Sequence, residues 1–170
     1  PPPIDITKLD AHDDGWLNTL IIGIDYTTDR EVRTGARSDT MIVVSANTAT
    51  NDVYMFSFPR DTAGFPLYNG GTYNGKLNTF AGHTKDDPEF DGGGQPALAY
   101  EIGFLLGMPI DYYASVNMDG FQALVDQVGG VTVCNVHQID DDHLEFHLTP
   151  GPHKLNGADA LRYARSRHGA

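Results

Sequence analysis

The sequence predicts an α/β domain in which helices pack on a central mixed β-sheet. Three observations carry that prediction. Short apolar, β-branched runs such as Leu20-Ile-Ile-Gly-Ile24 and Met41-Ile-Val-Val44 have the length and composition of buried strands. Longer stretches, Gln95 to Leu106 and Met118 to Val128, repeat their apolar residues at helical spacing. In the second half of the chain the two kinds alternate, as they do when helices cover a sheet. At 170 residues the chain is long enough to bury a core, and 40% hydrophobic with 10% aromatic residues mark it as globular.

Residues 1–16, proline-led and carrying the turn signal Asp13-Asp14-Gly15, read as a lead-in, and residues 17–170 as a single domain. Leu17 to Asp25 is the first core strand, and Tyr26 to Ala36 a charged loop. The strands Thr40 to Ala46 and Val53 to Phe58 follow, and the Asn- and Thr-rich connection Asn47 to Asp52 makes them an antiparallel pair. Asp61 to Gly94, rich in Gly, Asn, Asp and Pro, reads as irregular with one short helix at Leu77 to Gly82; so long an irregular segment is often functional. Its acidic residues Asp86, Asp87, Glu89 and Asp91 lack the ligand order of an EF-hand and read as a solvated loop. Gly92-Gly-Gly94 precedes a helix but lacks the Lys-Ser/Thr of a P-loop.

Pro96 suits the first turn of the helix Gln95 to Leu106, whose Leu98, Ile102, Leu105 and Leu106 share a face. Pro109 ends it, and Ile110 to Val116 alternates as a strand. Asn117 caps the next helix, with Phe121, Leu124, Val125 and Val128 as its buried stripe. Gly129-Gly130 closes that helix before the strand Val131 to Val136. The turn Thr149-Pro-Gly-Pro152 leads to a last helix capped by Asn156, with Asp159 among its first-turn amides.

A net charge of -12 and a sequence pI near 4.7 argue against a nucleic-acid partner held on a broad basic face. Any anion site must be local. The seven arginines fall in three places: Arg30, Arg33 and Arg37; Arg60; and Arg162, Arg165 and Arg167. In an acidic protein that concentration focuses a positive potential on one cleft, unless the arginines merely pair with surface carboxylates for little energy.

Three predicted strands bring two carboxylates and two guanidinium groups to their ends. Asp25 closes the first, Arg37 and Asp39 open the second, and Arg60 follows the third beside Asp61. Guanidinium forks read phosphate oxygens bidentately and paired carboxylates hold magnesium, so the set suggests a phosphate-plus-metal site. Arg162 and Arg165 share a helix face, whereas Arg165 and Arg167 differ by about 200° on an ideal helix and reach one ligand only if the helix frays near Ser166, unless one of them is simply a surface residue.

Cys134 is the only cysteine, so no disulfide forms within these residues. Cys134, His137, His143 and His147 have spacings that zinc ligands use, but Cys134 in an apolar strand reads as an ordinary buried thiol and the His pair lacks a metalloprotease glutamate. Asp140-Asp-Asp142 reads as a solvated loop. No apolar run approaches the ~18 residues of a membrane helix, and the N-terminus lacks the pattern of a signal peptide. The chain reads as a soluble piece, with an anchored parent left open.

Eight segments, in order, resemble the LytR-CpsA-Psr family of cell-wall glycopolymer phosphotransferases. They are Thr19-Leu-Ile-Ile-Gly-Ile-Asp25, Ala36-Arg-Ser-Asp-Thr40, Phe56-Ser-Phe-Pro-Arg-Asp-Thr62, Lys76-Leu-Asn78, Gly92-Gly-Gly-Gln95, Ile110-Asp-Tyr-Tyr-Ala-Ser-Val-Asn-Met-Asp-Gly-Phe121, Gly129-Gly-Val-Thr-Val133 and Leu155-Asn-Gly-Ala-Asp-Ala-Leu-Arg-Tyr-Ala-Arg-Ser-Arg-His168. No single piece is specific, but together they cover nearly all of residues 17–168.

The resemblance implies a family-like α/β core in residues 17–170 and a bacterial enzyme at the extracytoplasmic face of the plasma membrane, tethered by an N-terminal helix. Such enzymes take a glycan from a polyprenyl pyrophosphate carrier and join it to peptidoglycan through a phosphodiester. By the same resemblance Asp25 and Asp39 hold Mg²⁺ (or Mn²⁺), and Arg37, Arg60, Arg165 and Arg167 clasp the pyrophosphate. Asp39 or Asp61 would accept the proton of the acceptor hydroxyl, and Asp61 could equally just pair with Arg60. Leu98, Phe104, Phe121 and Leu124 would line a groove for the prenyl tail, unless they are ordinary core residues. The family pattern runs past Arg-x-Arg-His to a further Asp and an arginine-glutamine segment, so the domain is expected to be cut at its C-terminus. Two other readings stand beside transfer: hydrolysis of a pyrophosphate-linked lipid, and a non-catalytic lipid-binding or regulatory module.

Overall fold

The computed structural model describes residues 15–25 and 37–167. The expected lead-in, except for its last two residues, and the charged loop with Arg30 and Arg33 lie outside the described residues. The chain divides into two compact units, whose described parts are residues 15–25 with 37–115, and residues 116–167.

The first unit is built on a sheet with strand order β3-β2-β1-β6, from β1 (Trp16–Ile24), β2 (Ser38–Asn47), β3 (Val53–Ser57) and β6 (Tyr112–Asn117). β1 pairs with β2 antiparallel, and β2 pairs with β3 antiparallel as the hairpin reading expects. The turn after β2 shows why that sequence reverses the chain. The Asn47 side-chain oxygen accepts from the N–H groups of Ala49 and Thr50, and Asn51 takes the left-handed conformation (φ 62°) that asparagine tolerates. Leu20 lies opposite Val43 and Ile22 opposite Met41, so all four project from one sheet face, and all four are fully buried. β3 is the sheet edge, and every one of its residues is exposed.

That sheet face is covered by α1 (Leu77–His83) and α2 (Gly94–Leu106) through Leu77, Phe80, Ala97, Leu98 and Ile102. Gly94 lets the two helices meet, since a Cβ there would lie 1.6 Å from the Ala81 carbonyl oxygen. Leu98 is thus a core residue, while Phe104 stays 46% exposed. Between β3 and α1 the expectation of irregular chain fails. β4 (Ala63–Pro66) and β5 (Thr72–Lys76) form an antiparallel hairpin in which Phe65 faces Tyr73, with ring centroids 5.3 Å apart, and both rings pack on Phe80. Strands of four and five residues, with one aromatic each among Gly, Asn and Pro, are too short to show a period of two.

Glu101 is fully buried in α2, with Oε2 accepting at 3.4 Å from the Tyr68 N–H and Oε1 without a partner. Burial pushes its carboxyl pKa above the ordinary value, against a smaller opposing pull from that N–H. A carboxyl whose folded pKa is raised costs nothing below its unfolded value near 4.3; the cost grows as pH rises toward the folded pKa and is complete above it. Glu101→Gln is therefore expected to stabilise the chain by about 1 kcal/mol at pH 7.5 and to change little at pH 4. Urea midpoints across that range check it, and a difference independent of pH would refute the burial argument.

The second unit holds α3 (Met118–Gln127), β7 (Val131–Asn135), β8 (Ile139–Asp141), β9 (Phe146–Leu148), β10 (Gly151–Leu155) and α4 (Gly157–Arg165). Both predicted caps form: the Asn117 side chain accepts from the Gly120 N–H and that of Asn156 from the Asp159 N–H. Gly157 allows α4 to approach α3, because a Cβ would sit 2.2 Å from the Gln122 carbonyl oxygen.

Four expectations are corrected here. The last two residues read as a Pro-Gly turn, Gly151 and Pro152, already belong to β10, which pairs antiparallel with β7. In that two-stranded sheet Val131 and Val133 turn to the core and Cys134 turns outward, exposed rather than buried. On α3 only Val125 is buried, whereas Leu124 and Val128 are 55% and 66% exposed, because the small core of Phe146, Leu148, Leu155 and Ala160 meets a single line of the helix. Asp140-Asp-Asp142 is no solvated loop: β8 and β9 pair as a hairpin, and Asp141 is 1% exposed. Among the described residues no helix is long and apolar enough to cross a membrane.

Candidate functional site

In the first unit the strand ends bring the predicted residues together. The Arg37 carbonyl accepts from the N–H groups of Asp25 (3.2 Å) and Asp39 (3.1 Å), which ties the end of β1 to the start of β2. Phe58 N–H donates to the Met41 carbonyl at 2.9 Å, carrying the chain past β3 beside β2, and Pro59 then turns it so that Arg60 points back. The Arg60 Nη1 lies 2.8 Å from Asp39 Oδ2, with side chains 33% and 24% exposed. Asp61 sits between two cations, 3.8 Å from Arg60 Nε and 2.6 Å from Lys76 Nζ.

The other wall comes from the start of α1. Asn78 N–H donates to the Arg60 carbonyl at 3.0 Å and Leu77 N–H to the Thr62 carbonyl at 2.7 Å, so α1 is bolted to the Pro59–Thr62 turn. Asn78 is only 4% exposed, and its Nδ2 donates to Asp39 Oδ1 at 3.2 Å. Both oxygens of Asp39 are thereby held, one by Arg60 and one by Asn78. The Asn78 Oδ1 is buried and has no hydrogen-bond partner. A buried amide oxygen left unpaired costs about 1–3 kcal/mol, so it marks a place where a donor or cation belongs. Sequence reasoning quoted Asn78 only as the end of Lys-Leu-Asn and gave it no task; the signal was its place at the mouth of α1.

Among the described residues no group of three or more His, Cys, Asp or Glu side chains could hold a metal ion by itself, and the set Cys134, His137, His143 and His147 forms no such group. His147 Nδ1 instead meets Asp140 at 3.1 Å. A magnesium ion takes one or two carboxylates and draws its remaining ligands from water and phosphate, and the Asp39 carboxylate with the adjoining unpaired Asn78 oxygen offers donors of that kind.

In the second unit, α4 ends at Arg165 and Ser166 leaves helical geometry (φ -60°, ψ 130°), so Arg165 and Arg167 are freed from the spacing an ideal helix would impose. Asp141 fixes that exit. Its Oδ2 accepts from Ser166 Oγ at 3.0 Å and the Arg167 N–H at 3.3 Å, and its Oδ1 from the Leu144 N–H at 3.3 Å. Arg162 Nη1 pairs with Asp159 at 3.0 Å. Arg162 and Arg165 stand on one side of a cleft of about 400 Å³, opposite the β8–β9 turn.

Residues 3–170 match the model of the LytR_cpsA_psr family. Among relatives, the chain is 38% identical, over 89% of its own length and 45% of the relative's, to a polyisoprenyl-teichoic acid–peptidoglycan teichoic acid transferase TagU of Halalkalibacterium halodurans. The crystal structure of TagV from B. subtilis superposes with a TM-score of 0.72 at 28% identity, covering 91% of this chain and 57% of that one. A structure of the family protein YwtF (TagT) with bound octaprenyl pyrophosphate lipid gives 0.66 at 25% identity, covering 95% and 62%. The chain spans under half the length of the curated relatives it matches. With that match over residues 3–170, the chain belongs to the LytR_cpsA_psr family.

Proposed function

We propose that this chain is the core of an enzyme that moves a glycopolymer from a polyprenyl diphosphate carrier to peptidoglycan, forming a phosphodiester. The observation that carries the reading is the Arg60–Asp39 pair backed by Asn78 with its unpaired oxygen, in a chain whose relatives include named teichoic acid transferases and an octaprenyl pyrophosphate complex. The enzyme works at the extracytoplasmic face of the bacterial envelope, held to the membrane by an N-terminal anchor in the parent protein.

In this reading Arg37, Arg60, Arg165 and Arg167 bind the diphosphate and offset the charge that develops on its oxygens during transfer. Asp25, Asp39 and the Asn78 amide oxygen hold Mg²⁺ or Mn²⁺, which lowers the charge on the phosphoryl oxygens when bound. Arg60 has more N–H donors than Asp39 uses, so it reaches phosphate without changing place. Asp39, held at the strand end by Arg60 and Asn78, is placed to take the acceptor hydroxyl's proton. Asp61, clamped by Lys76, stays a charge partner that orients Arg60.

The test supplies the chain and Mg²⁺ with a polyprenyl diphosphate-linked glycan, with and without peptidoglycan. Glycan attached to peptidoglycan supports transfer. Free glycan released at the same rate in both tubes would make the protein a hydrolase, and retained lipid with no turnover a binding module.

A further inference from the structure

We propose that Tyr68, Phe90 and Tyr100, edged by the Glu89 carboxylate, form a platform in the first unit on which one pyranose ring of a glycan rests. The inference deepens the transfer reading, and rests on it only in taking that glycan to be a substrate. The three rings come from separate places in the chain. Tyr100 is on α2, two residues from both Leu98 and Ile102; about 200° around the helix from them, it faces away from the sheet they cover and is 58% exposed. Tyr68 is in the turn between β4 and β5, which the Gly70 N–H closes by donating to the Leu67 carbonyl at 3.0 Å. Phe90 is in the loop between α1 and α2, where its N–H donates to the Asp87 carbonyl at 3.2 Å.

The ring centroids are 4.9 Å apart for Tyr68 and Tyr100, 5.8 Å for Tyr68 and Phe90, and 5.7 Å for Phe90 and Tyr100. Rings so spaced touch, which leaves no gap for a cation between them, so a ligand has to lie across the top. A pyranose suits such a surface. The C–H groups of one face rest on the rings, and hydroxyls at the rim donate to a carboxylate in charge-assisted bonds. Glu89 is set for that role: its N–H donates to Asp87 Oδ1 at 3.0 Å, and its Oε2 accepts from the Tyr68 hydroxyl, which leaves Oε1 for a ligand. The bond to Glu89 pushes the Tyr68 phenol pKa up to about 12, so the hydroxyl keeps its proton and the carboxylate its orientation through the neutral range. A diphosphate would be repelled by Glu89 and Asp87, so the platform does not compete for it with the arginines at the strand ends.

Glu101, the residue after Tyr100, supplies an independent observation. Its side chain is fully buried, its Oε1 has no partner, and its Oε2 accepts from the Tyr68 N–H at 3.4 Å. A buried carboxyl so poorly satisfied weakens the fold, and what it fixes is the backbone of Tyr68 beside the ring of Tyr100. Stability given up to place one ring against another is what a binding surface calls for, since ring packing alone needs no such tie.

Two glycans fit this chemistry, the strand of peptidoglycan and the carried polymer, and the probes separate them. The 170-residue chain is titrated calorimetrically with a chitin tetramer for the first, with a prenyl diphosphate with and without a linked disaccharide for the second, and with choline as a cation. Tyr100→Ala should weaken the chitin tetramer about 10-fold, or remove the extra affinity that the disaccharide lends the prenyl diphosphate, and leave the sugar-free prenyl diphosphate unchanged. Glu89→Gln should weaken the same sugar probe about 5-fold. Tyr100→Phe should bind that probe like the parent and Tyr100→Leu like Tyr100→Ala, whereas a ring that served packing alone would leave sugar affinity the same in all three. Both positions are exposed, so melting temperatures should move by no more than about 3 °C. Sugar affinity unchanged in Tyr100→Ala, no binding of either sugar, or binding of choline in place of sugar would overturn the platform. Sugar binding that depends on Tyr100, without binding of the prenyl diphosphate, would instead sink the transfer reading and leave the platform standing.

Discussion

Arg60→Ala is expected to lower the affinity of the chain for a prenyl diphosphate by about 100-fold with little loss of stability. The guanidinium stands at the end of β3, one-third exposed, and is not part of either buried cluster. What holds its turn is backbone: the Arg60 carbonyl accepts from Asn78 and the Pro59 carbonyl from Thr62, bonds that an alanine keeps. The melting temperature should therefore move by no more than about 2 °C. The lost affinity has two sources. The ligand forfeits a bidentate partner, and Asp39, no longer neutralised at 2.8 Å, repels the incoming phosphate. Arg60→Lys separates them, since lysine restores the charge without the fork and should recover only part of the loss. Titration of the three proteins with one prenyl diphosphate decides the matter, and undiminished affinity in Arg60→Ala would remove the site from the strand ends.

The strand ends were legible in the sequence because β1 and β2, buried on one face and half-buried on the other, carry unbroken apolar β-branched runs, and the residues at the polar borders of those runs stand at sheet ends. Asp39 and Arg60 are distant along the chain, yet the one antiparallel pairing of β2 with β3 suffices to bring them together. The caps Asn117 and Asn156 were equally plain, since a single side chain makes each of them. The β4–β5 hairpin was not, because its order comes from Phe65, Tyr73 and Phe80 meeting in three dimensions rather than from any local period. Nor could a sequence say that Asn78 would be buried with a free acceptor; that depends on the packing of α1 against the Pro59–Thr62 turn. Three consecutive aspartates look alike as letters. Strand alternation turns the middle one inward and its neighbours outward, and only the pairing of β8 with β9 reveals it.

That middle residue gives the largest expected effect in the second unit: Asp141→Ala should cost about 2–3 kcal/mol and lower the melting temperature by about 8 °C. The carboxylate is 1% exposed and joins three donors, from Leu144 in the hairpin turn and from Ser166 and Arg167 just beyond α4. Removing it leaves those donors unsatisfied where water has limited access, and it unties the helix exit from the hairpin. Ser166→Ala removes one of these bonds and should cost about 1 kcal/mol. In the double variant the two costs should fall short of their sum, because Asp141 and Ser166 share a bond. A functional consequence follows from the Arg167 N–H. Arg165 and Arg167 flank the residue that Asp141 holds, so if both guanidinium groups bind the diphosphate as proposed, loosening that residue raises the entropy lost on binding. Diphosphate affinity in Asp141→Ala should fall several-fold further than in Leu155→Ala, a core variant of comparable instability. Equal affinities in the two would show that Asp141 serves the fold alone.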